Sequence, residues 1–123
     1  MEGFLQALKF EDVNVQVEVC KLVGLAAKRR GQKRNSAWKR AQKLWWRGYA
    51  MDRHGQEYQD LLDKAYRAMF DQCPKFRRAL VATQNAVLRH SIGNTDSFHT
   101  VLTQREFCRR LDKLRTLAKD MKE

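Results

Sequence analysis

A single proline, Pro74, interrupts the chain of 123 residues, and most apolar residues recur at spacings of three and four. This spacing is the period of one helix face, and a chain poor in proline leaves its helices unbroken. The sequence therefore predicts a mainly α-helical, compact single domain over residues 1–123, with about five helices and at most a short strand element. An α+β fold is the alternative.

The C-terminal two thirds of the chain has the clearest helix signals. An apolar stripe that includes Tyr58 and Leu62 predicts a helix from Gln56 to Gln72. Pro74 then ends that helix and suits the first residue of the next one.

A second set of signals predicts the last helix. Thr103-x-x-Glu106 is a capping box, and the apolar residues behind it repeat at helical spacing to near the C-terminus. Residues Gln84 to Leu102 break the pattern and predict a loop region, in which a short strand at Ala86 to His90 is an option.

The N-terminal third is less decided. Val13, Val15, Val17 and Val19 alternate with polar residues, which is typical of a strand. Yet Val15 and Val19 also begin a helical stripe, so strand and helix stay open here. Further on, Ser36 is a candidate cap for a helix from Ala37 to about Met51.

Charge is concentrated in one part of the sequence. Residues 19–51, called the basic segment below, contain ten Lys and Arg and no acid, within a chain of net charge +11. The interpretation is a basic insertion at about 28–50 that contacts phosphates or nucleic acid. The alternative is a solvated face around core tryptophans. The predicted contact residues are Lys28, Arg29, Arg30, Lys33, Arg34, Lys39 and Arg40.

Several classes of protein lose support from the sequence. No dinucleotide, P-loop, zincin or hydrolase-elbow motif is present, and the three histidines lack metal-ligand spacing, so no metal and no cofactor is expected. The apolar runs are far shorter than the roughly 20 residues that span a bilayer, so no membrane partner is expected. Three scattered cysteines fit the reducing cytoplasm, which is the predicted location.

Short motifs in order along the chain resemble the NADAR family of N-glycosidase-like domains associated with NAD, ADP-ribose and riboflavin biosynthesis. The opening Glu2 to Phe10 resembles its E-H-x-x-Q-A-x-K-F segment, and Ala65 to Gln72 its A-x-x-A-K-F-x-Q helix. Leu80 to Thr83 and Val87 to Asp96 resemble its later motifs. Departures include the sequence Asp96-Ser97-Phe98-His99-Thr100 where the family has Asp-x-x-Trp-Gly, and an N-terminal portion of the family that is expected to be missing here.

The resemblance implies hydrolysis of an N-ribosyl bond in an ADP-ribosylated substrate or a phosphorylated ribosylamine. Such a reaction needs carboxylates to stabilise an oxocarbenium-like centre and to position water. On the resemblance, Glu2, Asp96 and His99 are the catalytic candidates, and Lys9, His54 and Gln6 are the substrate-binding candidates. The alternative function is a non-catalytic basic module that binds nucleic acid or an acidic protein. The oligomeric state stays open.

Overall fold

The computed structural model describes residues 1–88 and 95–120, and its contacts divide the chain into two compact units. Unit 1 is Met1–Gln59 with Ser97–Val101, and unit 2 is Asp60–Asp96 with Leu102–Glu123. The described residues form seven helices and one two-stranded hairpin, so the prediction of a mainly α fold with a short strand element is confirmed. The single-domain organisation stays a prediction.

In order, the elements are α1 (Glu2–Ala7), α2 (Val13–Cys20), α3 (Gly24–Gln32), α4 (Asn35–Ala41), β1 (Lys43–Trp46), β2 (Tyr49–Asp52), α5 (Gln56–Gln72), α6 (Pro74–Ala82) and α7 (Gln104–Asp120).

Helices α1, α2 and α3 pack against one another in unit 1. Val19 is fully buried against Ala7 and Phe10, with Val15 packed against the same cluster. Asp12 caps α2 by accepting the backbone N–H groups of the second and third helical residues. The valine-rich segment is therefore a helix, because positions 15 and 19 meet the core one turn apart.

The structure corrects the predicted helix from Ala37 to about Met51. Helix α4 begins at Asn35 without a side-chain cap and ends where Gln42 adopts a left-handed conformation. The next ten residues form the antiparallel hairpin, with Leu44 paired to Met51 on its buried face. Its two-residue turn needs positive φ at both positions, and Gly48 (φ 88°) meets that need without strain.

Unit 2 contains α6, α7 and most of α5, whose bounds match the predicted Gln56 to Gln72. Tyr58 and Leu62 of the predicted stripe are buried, and Tyr66 and Phe70, which the prediction did not include, continue the buried face of α5. Pro74 stands at the first position of α6. The predicted capping box is formed: the Thr103 N–H donates to Glu106 Oε1 at 2.8 Å, and the Glu106 N–H donates to Thr103 Oγ1 at 3.1 Å.

The strand suggested for Ala86 to His90 is not seen in its described part. Residues 86–88 have no strand structure, and residues 89 and 90 lie outside the described residues. Within residues 1–88 and 95–120, no helix is long and apolar enough to cross a membrane.

Candidate functional site

Helix α1 brings three of the predicted site residues into one cluster. Glu2 and Gln6 are one turn apart, and the Gln6 amide Nε2 donates to Glu2 Oε1 at 2.6 Å. Gln6 is buried, and its Oε1 has no hydrogen-bond partner among the described residues. Gly31 of α3 makes this packing possible, because a Cβ at that position would lie 1.7 Å from Gln6 Oε1.

Lys9 follows in the turn after α1 and is almost completely buried, with 6% of its surface exposed. Its Nζ donates to Asn35 Oδ1 at 2.7 Å, at the start of α4. Burial lowers the pKa of Lys9 to about 8, Glu2 opposes this shift, and Lys39 adds to it. Glu2, Gln6, Lys9 and Asn35 are called the α1 polar cluster below.

The chemistry available to the α1 polar cluster follows from that amine. A lysine with a pKa near 8 has a substantial neutral fraction at mildly alkaline pH, and strongly shifted pKa values are frequent at functional sites. They also occur in purely structural networks. The short bond to Asn35 and the bond from Arg34 Nε to the Lys9 carbonyl oxygen at 3.3 Å tie this lysine to the start of α4. The cluster therefore joins α1 to α4 as well as holding a titratable amine.

Two other predicted site residues, His54 and His99, lie in a separate part of unit 1. The ring of His54 packs on Phe98 with centroids 4.4 Å apart, and His54 Nε2 lies 3.0 Å from Ser97 Oγ. His99 is exposed in the same segment. Asp96 is exposed and belongs to unit 2, whereas Glu2 belongs to unit 1. The joint action of those two carboxylates stays a prediction.

The predicted phosphate-contact residues lie on two consecutive helices and the two residues that join them. Lys28, Arg29 and Arg30 are on α3, Lys33 and Arg34 lie between α3 and α4, and Lys39 and Arg40 are on α4. Arg29, Lys33 and Arg40 are exposed. Arg30 instead covers the ring of Phe10, with its guanidinium carbon 5.0 Å from the centroid.

No Lys or Arg of the basic segment forms an ion pair with a carboxylate in the described part of the chain, and Lys43 alone has a carboxylate residue, Asp52, opposite it in the hairpin. The ion pairs that the structure shows there involve Asp52 with His54 and acids of α5 and α7, and none involves a Lys or Arg of residues 19–51. Like charges on short neighbouring elements repel one another. An anionic partner would relieve this repulsion.

Sequence reasoning missed the residues that hold this region together. Asn35 accepts from Lys9 across 26 positions of sequence, and only the fold makes that contact. Gln16 is 3% exposed and connects α2 to the hairpin through its amide. The sequence contains one indication that Gln16 is buried: this polar residue directly follows Val15, which packs against the core of unit 1.

Together these observations define a small helical protein with a hairpin, a buried polar cluster and an uncompensated cationic surface. Residues 1–116 match the model of the bacteriophage protein GP30.3 family. The chain therefore belongs to this family. A relative from Enterobacteria phage T4, the uncharacterized 17.1 kDa protein in the Gp30-rIII intergenic region, is 36% identical over 116 residues, which are 94% of this chain and 76% of the relative. No solved structure matches the chain.

This family membership overturns the assignment to the NADAR family. The motifs behind that assignment were short and tolerant, and the match to the GP30.3 family covers almost the whole chain. The description of the protein as a NADAR hydrolase is therefore wrong. The roles of Glu2, Asp96, His99, Lys9, His54 and Gln6 in cleavage were implied by that resemblance alone and stay untested predictions.

Proposed function

We propose that this protein binds nucleic acid through the exposed cations of the basic segment. One observation carries the proposal: ten Lys and Arg occupy residues 19–51 without an acid, and none forms an ion pair with a carboxylate in the described part of the chain. A surface that neutralises phosphates releases condensed counterions, which gives affinity without sequence specificity. The chain as a whole is also strongly basic, with a net charge of +11.

Exposure separates the cations that reach a phosphate from those with internal roles. Arg29, Lys33 and Arg40 are exposed, and their side chains show no hydrogen bond among the described residues. Arg34 is held by the Lys9 carbonyl oxygen, and Arg30 lies over Phe10. Arg29, Lys33 and Arg40 are therefore the expected phosphate contacts. Arg30 and Arg34 are expected to support the fold.

The proposed location is the cytoplasm, where a nucleic-acid-binding protein meets its ligand. All three cysteines are free thiols, at positions 20, 73 and 108. Free thiols persist in reducing compartments, which supports this location.

The test is a salt titration of binding to a labelled 20-nucleotide single strand of DNA, its duplex and the matching RNA. The variant Arg29→Gln/Lys33→Gln/Arg40→Gln removes three exposed cations of the basic segment. Each lost phosphate contact reduces the slope of log K against log salt by about 0.7 to 0.9, so the slope is expected to fall by about 2 to 3.

The matched control removes three exposed cations of unit 2, Lys75→Gln/Arg78→Gln/Arg109→Gln. It changes the net charge equally and is expected to keep most of the affinity. Equal losses in the two variants would show that binding follows net charge alone. No binding by the unmodified protein at low salt would reject the proposal.

A further inference from the structure

A groove of about 570 Å³ lies in unit 1, outside the α1 polar cluster. One wall is the outer face of α2, where Val13, Val17 and Cys20 stand at positions i, i+4 and i+7. The other wall is Trp46 of β1, whose ring meets Phe4 edge-on with centroids 5.0 Å apart. The volume falls within the range of about 300 to 1,000 Å³ that is usual for binding pockets.

The groove exposes apolar side chains in a regular row. Val13 is 45% exposed and Val17 is 52% exposed, whereas Val15 and Val19 of the same helix face the core. Helix α2 therefore has apolar residues on two faces, and its own unit covers one of them. A stripe at i, i+4 and i+7 is the pattern that meets the side chains of a second helix.

Polar groups in the groove are either already bonded or cationic. The Gln16 amide nitrogen donates to Ala7 and Trp45 carbonyl oxygens, and its oxygen accepts the Arg47 N–H. Lys21 and Arg47 complete the lining as exposed cations, and Arg47 lies 5.8 Å from the ring centroid of Trp46. The groove thus offers apolar walls and positive charge.

This combination selects one occupant. A nucleobase would place its polar edges against valines without hydrogen-bond partners, at a free-energy cost. A second copy of this chain, with net charge +11, would bring like charges to the cationic groups. An amphipathic helix with apolar anchors and flanking carboxylates meets both the apolar walls and the charge.

We infer that the groove between α2 and the hairpin docks an acidic amphipathic helix of a partner protein. The apolar anchors of that helix pack between Val13, Val17 and Trp46. Its carboxylates face Lys21 and Arg47. Lys21 and Arg47 belong to the basic segment, but the expected phosphate contacts Arg29, Lys33 and Arg40 lie outside the groove. Different substitutions therefore test this inference and the proposed function.

The test uses a fluorescein-labelled 18-residue helical peptide with leucines at i, i+4, i+7 and i+11 and glutamates at most other positions. Binding is followed by anisotropy and by shifts of backbone amide resonances in the full protein. We expect shifts to map to α2 and the hairpin, and a matched peptide with lysines in place of glutamates to lose binding. Val17→Glu places a carboxylate in the groove and is expected to weaken the acidic peptide by at least about tenfold.

The control is Leu25→Glu, which makes the same substitution at an α3 position that is 68% exposed and outside the groove. It is expected to leave the affinity within about twofold. A second groove variant, Lys21→Gln/Arg47→Asn, keeps the turn because asparagine tolerates positive φ, and it is expected to weaken the acidic peptide and reduce its salt dependence.

Three outcomes would overturn the inference. One is the absence of groove shifts with 1 mM acidic peptide. The second is equal affinity of the unmodified protein and Val17→Glu for that peptide. In the third, Val17→Glu leaves peptide binding unchanged but loses self-association or oligonucleotide binding, and Leu25→Glu loses neither. Loss of self-association would assign the groove to a second copy, and loss of oligonucleotide binding would assign it to nucleic acid.

Discussion

Gln16 of α2 donates its side-chain amide to the carbonyl oxygen of Trp45 in β1 at 2.6 Å. The same nitrogen donates to the Ala7 carbonyl oxygen at 3.1 Å, and the amide oxygen accepts the Arg47 N–H at 3.1 Å. One buried side chain therefore joins α1, α2 and the hairpin turn. It also holds Arg47, a residue other than glycine with positive φ (51°), in the turn conformation.

Replacement of Gln16 by leucine, which is similar in size, is expected to lower the free energy of unfolding by about 2 to 3 kcal/mol. The reason is that the Trp45 carbonyl and the Arg47 N–H lose the hydrogen bonds that the buried Gln16 amide makes to them, while the Ala7 carbonyl keeps only the Phe10 N–H. An unsatisfied buried group costs about 1 to 3 kcal/mol. Urea denaturation measures the change. Asn14→Leu, at an exposed position of the same helix, is the control and should change stability by less than about 0.5 kcal/mol. Similar effects of the two substitutions would contradict this role of Gln16.

The contact between Gly31 and Gln6 predicts a coupled pair of substitutions. In Gly31→Ala the new methyl group would overlap Gln6 Oε1, and the Gln6 Cβ is also only 3.0 Å from it, so the whole side chain must move. We expect a loss of about 1 to 3 kcal/mol from overpacking. In the background of Gln6→Ala the same substitution should cost clearly less, because the overlapping Oε1 and Cδ atoms are then absent and only the Cβ contact at 3.0 Å remains. A double-mutant cycle from thermal or urea unfolding measures this coupling, and simple additivity would contradict it.

The helices of unit 2 could be predicted from the sequence because their signals are local. The stripe of α5, Pro74 at the start of α6 and the capping box of α7 act within one or two turns of chain. The hairpin was missed because α4 stops at Gln42 and the turn depends on Arg47 taking a positive φ. In the structure that turn is held by Gln16, a contact across 31 positions of sequence.

The ambiguity of α2 has the same kind of cause. Alternating valines normally indicate a strand with one buried face, but here Val15 and Val19 enter the core while Val13 and Val17 line a groove. The helix period places these pairs on different faces. In the candidate site, Glu2 and Gln6 meet because they are one turn apart, which sequence can show, whereas Asn35 reaches Lys9 only through the packing of α1 with the start of α4.

Two carboxylates of α5 provide a comparison between a half-buried and an exposed ion pair. Arg110 is 4% exposed, and its Nε lies 3.0 Å from Asp63 Oδ1, whereas both partners of the Arg67 and Asp71 pair are more than half exposed. We expect Asp63→Ala to lower stability by about 1 to 2 kcal/mol, since the buried guanidinium loses a carboxylate. Asp71→Ala should cost no more than about 0.5 kcal/mol. Chemical denaturation of both variants at low and high salt makes the comparison, and equal costs would contradict it.

Lys9 predicts a dependence of stability on alkaline pH. Burial lowers its pKa in the folded protein to about 8 from a usual value of 10.5, so between these values the unfolded chain binds more protons than the folded protein. The free energy of unfolding therefore gains a contribution that rises from about pH 8 to pH 10.5, and below pH 8 the burial penalty on the charged amine is fully present. Lys9→Met lacks this contribution, while the other titrating groups are shared.

The difference in unfolding free energy between the unmodified protein and Lys9→Met, measured in urea at pH 7.5, 9 and 10.5, should thus shift in favour of the unmodified protein as the pH rises. Lys64→Met, at an exposed position of α5, is the control and should show no such trend. Parallel pH profiles for the unmodified protein and Lys9→Met would show that the amine is not desolvated in the folded state.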